Sequence, residues 1–97
     1  MKELKGNELA KKLGISRSRE IEAVIKAQLI TAVLKTVKNE RLTHEKLAKR
    51  SGLPRIAVTG ILSGSLQKVT IDRVLRLLDA SNLIAEVKVK KATHPVF

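Results

Sequence analysis

The side chains best suited to chemistry in this chain are cationic. Lysine and arginine number 20 against 9 acidic residues, which gives a formal net charge of +11. A field of this sign attracts phosphate backbones, anionic membranes or acidic proteins. Catalytic arrangements find little support: no Ser–His–Asp set is suggested, no glycine-rich phosphate loop follows a strand, and no carboxylate pair shares a short segment with metal spacing. The sequence therefore predicts a binding protein and not an enzyme.

No cofactor or metal site is expected. The chain has no cysteine, which excludes disulfides, thiol catalysis and zinc fingers. Its two histidines, His44 and His94, stand far apart in the sequence, so neither is expected to ligate a metal. The single aromatic residue is Phe97, whereas single-stranded RNA modules stack bases on aromatic side chains. Recognition of single-stranded RNA is therefore disfavoured.

Residues 43–63 carry the pattern of two short helices joined by a tight turn. Thr43 is suited to cap the first helix, over 43–51. Gly52 is expected to end it in a left-handed turn, and Pro54 to begin the second helix. The first helix must hold the second at a fixed angle, so apolar or small residues have to interlock between them: Leu47, Ala48, Val58 and Ile61. This pattern predicts a helix-turn-helix.

The second helix of this motif is expected to leave a mixed face outside. Its buried side is apolar, and the residues left outside are Arg55, Ile56, Thr59 and Gly60. In a helix-turn-helix, this exposed side must be polar or adaptable enough to meet base edges. Gly60 costs ~1 kcal/mol relative to alanine inside a helix.

The Cro/repressor-type (Xre) helix-turn-helix family resembles this chain over residues 42–64, which read LTHEKLAKRSGLPRIAVTGILSG and are followed by VTIDRVLRLLDASN. With the leading GNELAKKLG and the terminal IAEVKVK, the likeness covers residues 6–91 and extends to the subgroup of HigA-type antitoxins and related small regulators. The family often carries a polar residue where Gly60 stands, so the glycine implies either a closer approach to DNA or fewer base contacts and weaker specificity. The family also often has Ser, Thr or Asp where Pro54 stands, so one capping hydrogen bond is lost here.

The resemblance implies a role for each matching position. Base contacts are implied for the exposed face of the second helix: Arg55, Ile56, Thr59 and Gly60. Phosphate contacts are implied at the start of the first helix and in the loop after the second: Thr43, His44, Gln67 and Lys68.

The implied fold is mostly α, a lambda-repressor-like helix-turn-helix bundle of four to five helices with a C-terminal β-strand that pairs across a dimer. Residues 1–17 are expected to form a basic lead-in with a short helix, and 18–83 the helical DNA-binding domain. Ser16 or Ser18 is suited to cap a long helix that runs to about Asn39.

Two of the predicted helices outside the motif have apolar faces. The long helix carries a stripe over residues 21–37 that is expected to be core; it is too wide for one neighbour and needs the rest of the domain and the lead-in, or a second chain. Thr70 is suited to cap a last helix. The apolar face of that helix comprises Ile71, Val74, Leu75, Leu77, Leu78 and Leu83.

Residues 84–91 change to the two-residue period of a half-buried strand. One strand without a partner in its own chain is unstable. The simplest partner is the same strand of a second copy, so a homodimer is expected, with three dimerisation residues: Ala85, Val87 and Val89. The tail, 92–97, is expected to be loose.

Three functions remain open at this point. The first is a sequence-specific double-stranded DNA-binding transcriptional regulator, an autorepressor that reads the major groove as a dimer. The resemblance also implies an antitoxin that neutralises a ribonuclease-type toxin, although a charge of +11 would repel a basic toxin. The third is a non-specific basic protein that binds nucleic acid through charge alone.

The expected location is the cytoplasm, with association to the nucleoid when DNA is bound. No apolar run approaches the ~20 residues that a membrane span needs. The first residues alternate charged and apolar types and do not resemble a signal peptide.

Overall fold

The computed structural model describes residues 17–91, which contain four helices. These are α1 (Arg17–Glu40), α2 (His44–Ser51), α3 (Arg55–Leu62) and α4 (Ile71–Ala80). Helix α1 packs against α4, and α2 packs against both α3 and α4. The core between them is apolar: Ile30, Leu47, Leu53, Val58, Ile61, Val74, Leu77 and Ala80. The predicted mostly α, helix-turn-helix fold is confirmed. The short helix and the loose tail predicted at the two ends lie outside the described residues.

None of the helices within 17–91 is long and apolar enough to cross a membrane.

Two helices begin at threonine caps, as the sequence predicts. The Thr43 hydroxyl accepts a hydrogen bond from the Lys46 N–H at 3.0 Å, and the Thr70 hydroxyl accepts one from the Arg73 N–H at 3.4 Å. Helix α3 begins one residue later than predicted, because Pro54 has extended dihedrals (φ −61°, ψ 145°) and serves as the cap residue. Proline has no side-chain acceptor, so α3 starts without a side-chain cap.

Each of the four described helices is followed, one or two residues after its end, by a residue with positive φ: Arg41, Gly52, Gly64 and Asn82. After α4, the Leu83 N–H donates to the Leu78 carbonyl at 3.1 Å and the Asn82 N–H donates to the Asp79 carbonyl at 2.9 Å, the pair of bonds of a Schellman motif. The predicted stop at Gly52 is confirmed. The long helix ends at Glu40, close to the predicted Asn39, but the positive φ of Arg41 was not foreseen, since arginine seldom adopts this conformation.

The apolar stripe predicted on the long helix occupies two faces, and only one of them is core. Ile30 and Val33 are buried. Ile21, Val24 and Ile25 are exposed, so the rest of the described domain does not cover this part of the stripe. Positions 21 and 25 lie about half a turn from position 30 at 3.6 residues per turn, and a helix cannot turn both faces to one neighbour. Contact with the lead-in or a second chain lies outside the described residues.

A similar correction applies to α4. Its buried face carries Val74, Leu77 and Leu78, whereas Ile71 and Leu75, predicted on the same face, are exposed at 36% and 44%. They lie at the edges of the apolar sector, where the side chains of α4 meet solvent.

Residues 84–91 form neither helix nor strand in the single chain. Ile84, Val87 and Val89 are 91%, 84% and 90% exposed. A strand needs a neighbouring strand to satisfy its backbone N–H and C=O groups, and the described part of the chain holds none. The predicted strand is therefore absent here, and its pairing across a dimer stays a prediction.

Candidate nucleic-acid interface

Helix α3 turns one side to the core and the other to solvent. Val58 and Ile61 are fully or almost fully buried against the apolar cluster. Arg55, Ile56 and Thr59 are exposed, and Ile56 is exposed by 87%. The predicted division of α3 into a buried and an exposed side is confirmed for these residues. Gly60, predicted on the exposed side, is half-buried. A nearly free isoleucine beside a free arginine is a surface suited to contact with another molecule.

His44 connects the starting turn of α2 to the exposed face of α3. Its Nδ1 atom lies 2.9 Å from the Thr59 hydroxyl oxygen, which is hydrogen-bond distance. Sequence reasoning assigned the two residues to different targets, His44 to phosphate and Thr59 to bases. The structure brings them together, and the bond couples the orientation of the ring to the middle of α3.

The Thr43 hydroxyl caps α2 and still has a hydrogen to donate. Its hydroxyl oxygen accepts the Lys46 N–H, and a hydroxyl can accept one hydrogen bond while it donates another. The capping role is therefore compatible with donation to a phosphate.

Gln67 and Lys68 form the corners of a tight turn between α3 and α4. The Val69 N–H donates to the Leu66 carbonyl at 3.2 Å, which closes the turn. The side chains of Leu66 and Val69 pack against the core, while Gln67 and Lys68 are exposed. The core thus holds the ends of the turn and leaves its two polar corners in solvent.

One residue of this region was missed by sequence reasoning. Lys26 of α1 is 6% exposed, and its ammonium donates to the carbonyls of Leu66 and Val69 at 3.0 and 2.7 Å. The signal available in the sequence was a lysine that shares a helix face with Ile30 and Val33.

Arg50 of α2 contributes a second cationic contact to backbone. Its Nη1 atom donates to the Ala80 carbonyl at 3.2 Å, at the C-terminal end of α4. A cation there complements the negative end of the helix dipole. Arg50 therefore ties the helix-turn-helix to α4.

A family model described as a helix-turn-helix domain matches residues 15–90 of this chain. The chain belongs to this helix-turn-helix domain family. A solved structure described as an XRE family transcriptional regulator has a TM-score of 0.63 and 24% identity, over 74% of this chain and 81% of that chain. At this identity the likeness shows the fold. No match was found among curated proteins.

In this helix-turn-helix domain the sequence-predicted site residues fall into three groups. The start of α2 contributes Thr43 and His44, the exposed face of α3 contributes Arg55, Ile56 and Thr59, and the turn contributes Gln67 and Lys68. Within residues 17–91, no group of three or more His, Cys, Asp or Glu side chains is arranged to hold a metal ion.

Gly60 is not required by packing within the described chain. A Cβ atom built there would meet nothing within 4 Å, and φ is not in the left-handed range. Gly64 also has open space around it, but its φ is +100°. The two glycines therefore differ in backbone conformation while sharing the absence of steric contact.

We predict that Gly60→Ala raises the free energy of unfolding by ~1 kcal/mol, because alanine costs less than glycine in a helix interior. Gly64→Ala is the matched control and is expected to lower it, since alanine is strained at positive φ. Urea unfolding of both variants followed by circular dichroism measures the difference. Loss of stability in Gly60→Ala would contradict the prediction.

Proposed function

We propose that this helix-turn-helix domain is a sequence-specific double-stranded DNA-binding transcriptional regulator that represses its own gene. The observation that carries the proposal is the exposed first turn of α3, where Arg55 and Ile56 stand in solvent on a helix anchored by Val58 and Ile61. A short rigid helix whose outer face is exposed to solvent can enter a major groove and contact base edges. The net charge of +11 supplies phosphate attraction.

Arg55 and Ile56 are proposed as the principal base readers. Arginine pairs with O6 and N7 of guanine, and an apolar side chain contacts the thymine methyl. Exposure of Ile56 by 87% leaves an apolar surface in water that contact with a methyl group would cover. Gly60, with open space beside it, is proposed to allow bases to approach α3 closely.

The contact between His44 and Thr59 restricts what Thr59 reads. When the His44 ring is neutral and donates to a phosphate oxygen through Nε2, Nε2 carries the single ring proton and Nδ1 is an acceptor. The Thr59 hydroxyl would donate its hydrogen to Nδ1 and keep only acceptor capacity towards DNA. The amino donors exposed in the major groove belong to adenine and cytosine. We therefore expect Thr59 to lie opposite one of these two bases.

The phosphate contacts are proposed to flank α3 on two sides. Thr43 and His44 stand at the start of α2, and Gln67 and Lys68 at the turn after α3. Contacts to the backbone fix the register of a protein on the duplex, while base contacts select the sequence. The fold shared with a protein described as an XRE family transcriptional regulator is consistent with this division.

The test is a DNA-binding titration at controlled salt on the upstream region of the gene itself, with random duplex as competitor. We expect a preference of ~10³-fold or more for the upstream DNA, which is typical of specific regulators. Equal affinity for upstream DNA, random DNA and RNA would instead favour a non-specific basic protein. Preference for another DNA region, with no preference for the upstream region over random duplex, would support specific binding and contradict autorepression.

Replacement of Arg55 is predicted to distinguish base selectivity from the affinity that charge gives to all DNA sequences. Arg55→Ala should cost ~1–3 kcal/mol in affinity and relax the preference at one base position, because a bidentate pair is lost. Lys49→Ala, on the exposed side of α2, is the charge-matched control and should weaken binding to all sequences alike. Competition with operators substituted at each base measures both effects. Equal losses on every DNA from both variants would exclude Arg55 as a reader.

The regulator is proposed to act as a homodimer joined through residues 84–91. In support, Ala85, Val87 and Val89 share one face of the two-residue pattern and are exposed in the single chain. Two copies of this segment would form an antiparallel ribbon that satisfies the backbone of both. Two α3 helices would then enter successive major grooves ~34 Å apart, so the operator should be a near-palindrome.

We predict that Val87→Ser weakens the dimer by ~1–2 kcal/mol for each copy, because a buried valine is lost from the ribbon. Lys88→Ser, on the opposite face of the pattern, is the control and should leave the dimer intact. Sedimentation equilibrium of wild type and both variants measures the dissociation constants. A monomeric wild type, or equal effects of the two variants, would refute this interface.

An antitoxin role is the second candidate. The exposed Ile21, Val24 and Ile25 of α1 favour it, because a protein partner would cover this apolar surface. A gene for a small toxin-like protein beside this one would support the role, and its absence would favour a free-standing regulator. Either function places the protein in the cytoplasm with its DNA.

A further inference from the structure

The turn formed by residues 66–69 is held from two directions. The side chains of Leu66 and Val69 pack on the core, and their carbonyl oxygens both accept hydrogen bonds from the ammonium of Lys26. The Leu66 carbonyl also accepts the Val69 N–H that closes the turn. The two ends of the turn are therefore bonded to each other and to α1.

The Lys26 ammonium donates two hydrogen bonds to the turn and forms one ion pair. Its ion-pair partner is Glu22, whose Oε1 lies 3.6 Å from Nζ. The side chain is 7% exposed, so the ammonium is not free to reach a phosphate itself. Its effect on any ligand must pass through the backbone of the turn.

A buried charge is costly unless it is paired and hydrogen-bonded. Here the charge is both paired and hydrogen-bonded, and leucine at this position would only continue the apolar face of α1. The lysine instead joins two carbonyls that a leucine would leave without this donor. Gln67 and Lys68 are the exposed corners of this turn. They project from a backbone whose two ends are held together by hydrogen bonds.

We propose that Lys26 is a positioning residue for the DNA-backbone contacts of Gln67 and Lys68. The inference rests on the proposed DNA-binding function and adds a residue that is remote from the exposed face of α3. With the turn already ordered, Lys68 is held in position to contact phosphate; without the ammonium, the entropy cost of ordering the turn exceeds what that contact returns, and the contact is lost. Lys26 thereby supports affinity for all DNA sequences and leaves base selection to α3.

The test compares wild type with Lys26→Met, which keeps the length and apolar character of the stem and removes the ammonium. Lys35→Met, exposed on the same helix, is the control for the lost charge. We expect Lys26→Met to weaken binding ~3- to 10-fold on operator and random DNA alike. The salt slope, which is the steepness with which the logarithm of the binding constant falls with the logarithm of salt concentration, should decrease by ~1 per protomer, as it does when one phosphate contact is lost. Lys35→Met should lower the slope less.

A double-mutant cycle with Lys68→Ala distinguishes positioning from general destabilisation. If Lys26 acts through the turn, Lys68→Ala adds little in the Lys26→Met background, because the contact is already lost. Partial unfolding would lower the apparent affinity without changing the salt slope. Backbone amide order parameters at Gln67 and Lys68 should fall in Lys26→Met, while those at Gly52 should not. Should Lys26→Met fail to fold, Lys26→Gln, with an amide donor on a shorter stem, is measured in the same way.

Additive effects of the two substitutions, or an unchanged salt slope in Lys26→Met, would overturn the positioning role and leave the proposed function intact. Failure of the wild-type protein to bind any duplex DNA would overturn the proposed function, and this role with it.

Discussion

The packing of α3 on its neighbours is the constraint on which the rest of this structure depends. A helix of eight residues is far below the ~12–15 residues at which isolated helices become even marginally stable in water. Helix α3 also lacks a side-chain cap and contains a glycine. Its order therefore comes from Val58 and Ile61, which are buried against Leu47 and the rest of the core. The exposed residues of α3 have defined positions because this packing gives them a rigid base.

The polar contacts of the domain serve the same end by fixing the short connections between helices. Arg50 binds the last turn of α4, His44 bonds to Thr59 across the motif, and Lys26 binds both ends of the turn after α3. Each contact joins segments that are distant in the chain. Two of the three side chains, Arg50 and Lys26, are cations that act as internal hydrogen-bond donors in addition to contributing to the net positive charge.

Much of this arrangement was predictable from local chemistry. Thr43, Gly52 and Thr70 each act through dihedrals or capping bonds that depend only on neighbouring residues, and all three were identified correctly. Predictions failed where the answer depended on tertiary contact. Helix α1 has apolar residues on two faces, and its sequence does not say which face meets the core. The bond from His44 to Thr59 and the contacts of Lys26 join residues whose proximity exists only after folding.

The left-handed residue Gly64 sets how much of a duplex the outer face of α3 can span. Eight residues at a rise of 1.5 Å make a rod ~12 Å long, which matches about four base pairs at 3.4 Å each. A word of that length recurs by chance every few hundred base pairs, far too often to address one site in a chromosome. The bases contacted by one α3 helix are thus too few to define a single site. Because the helix stops there, recognition of one site needs a second set of base contacts outside this helix.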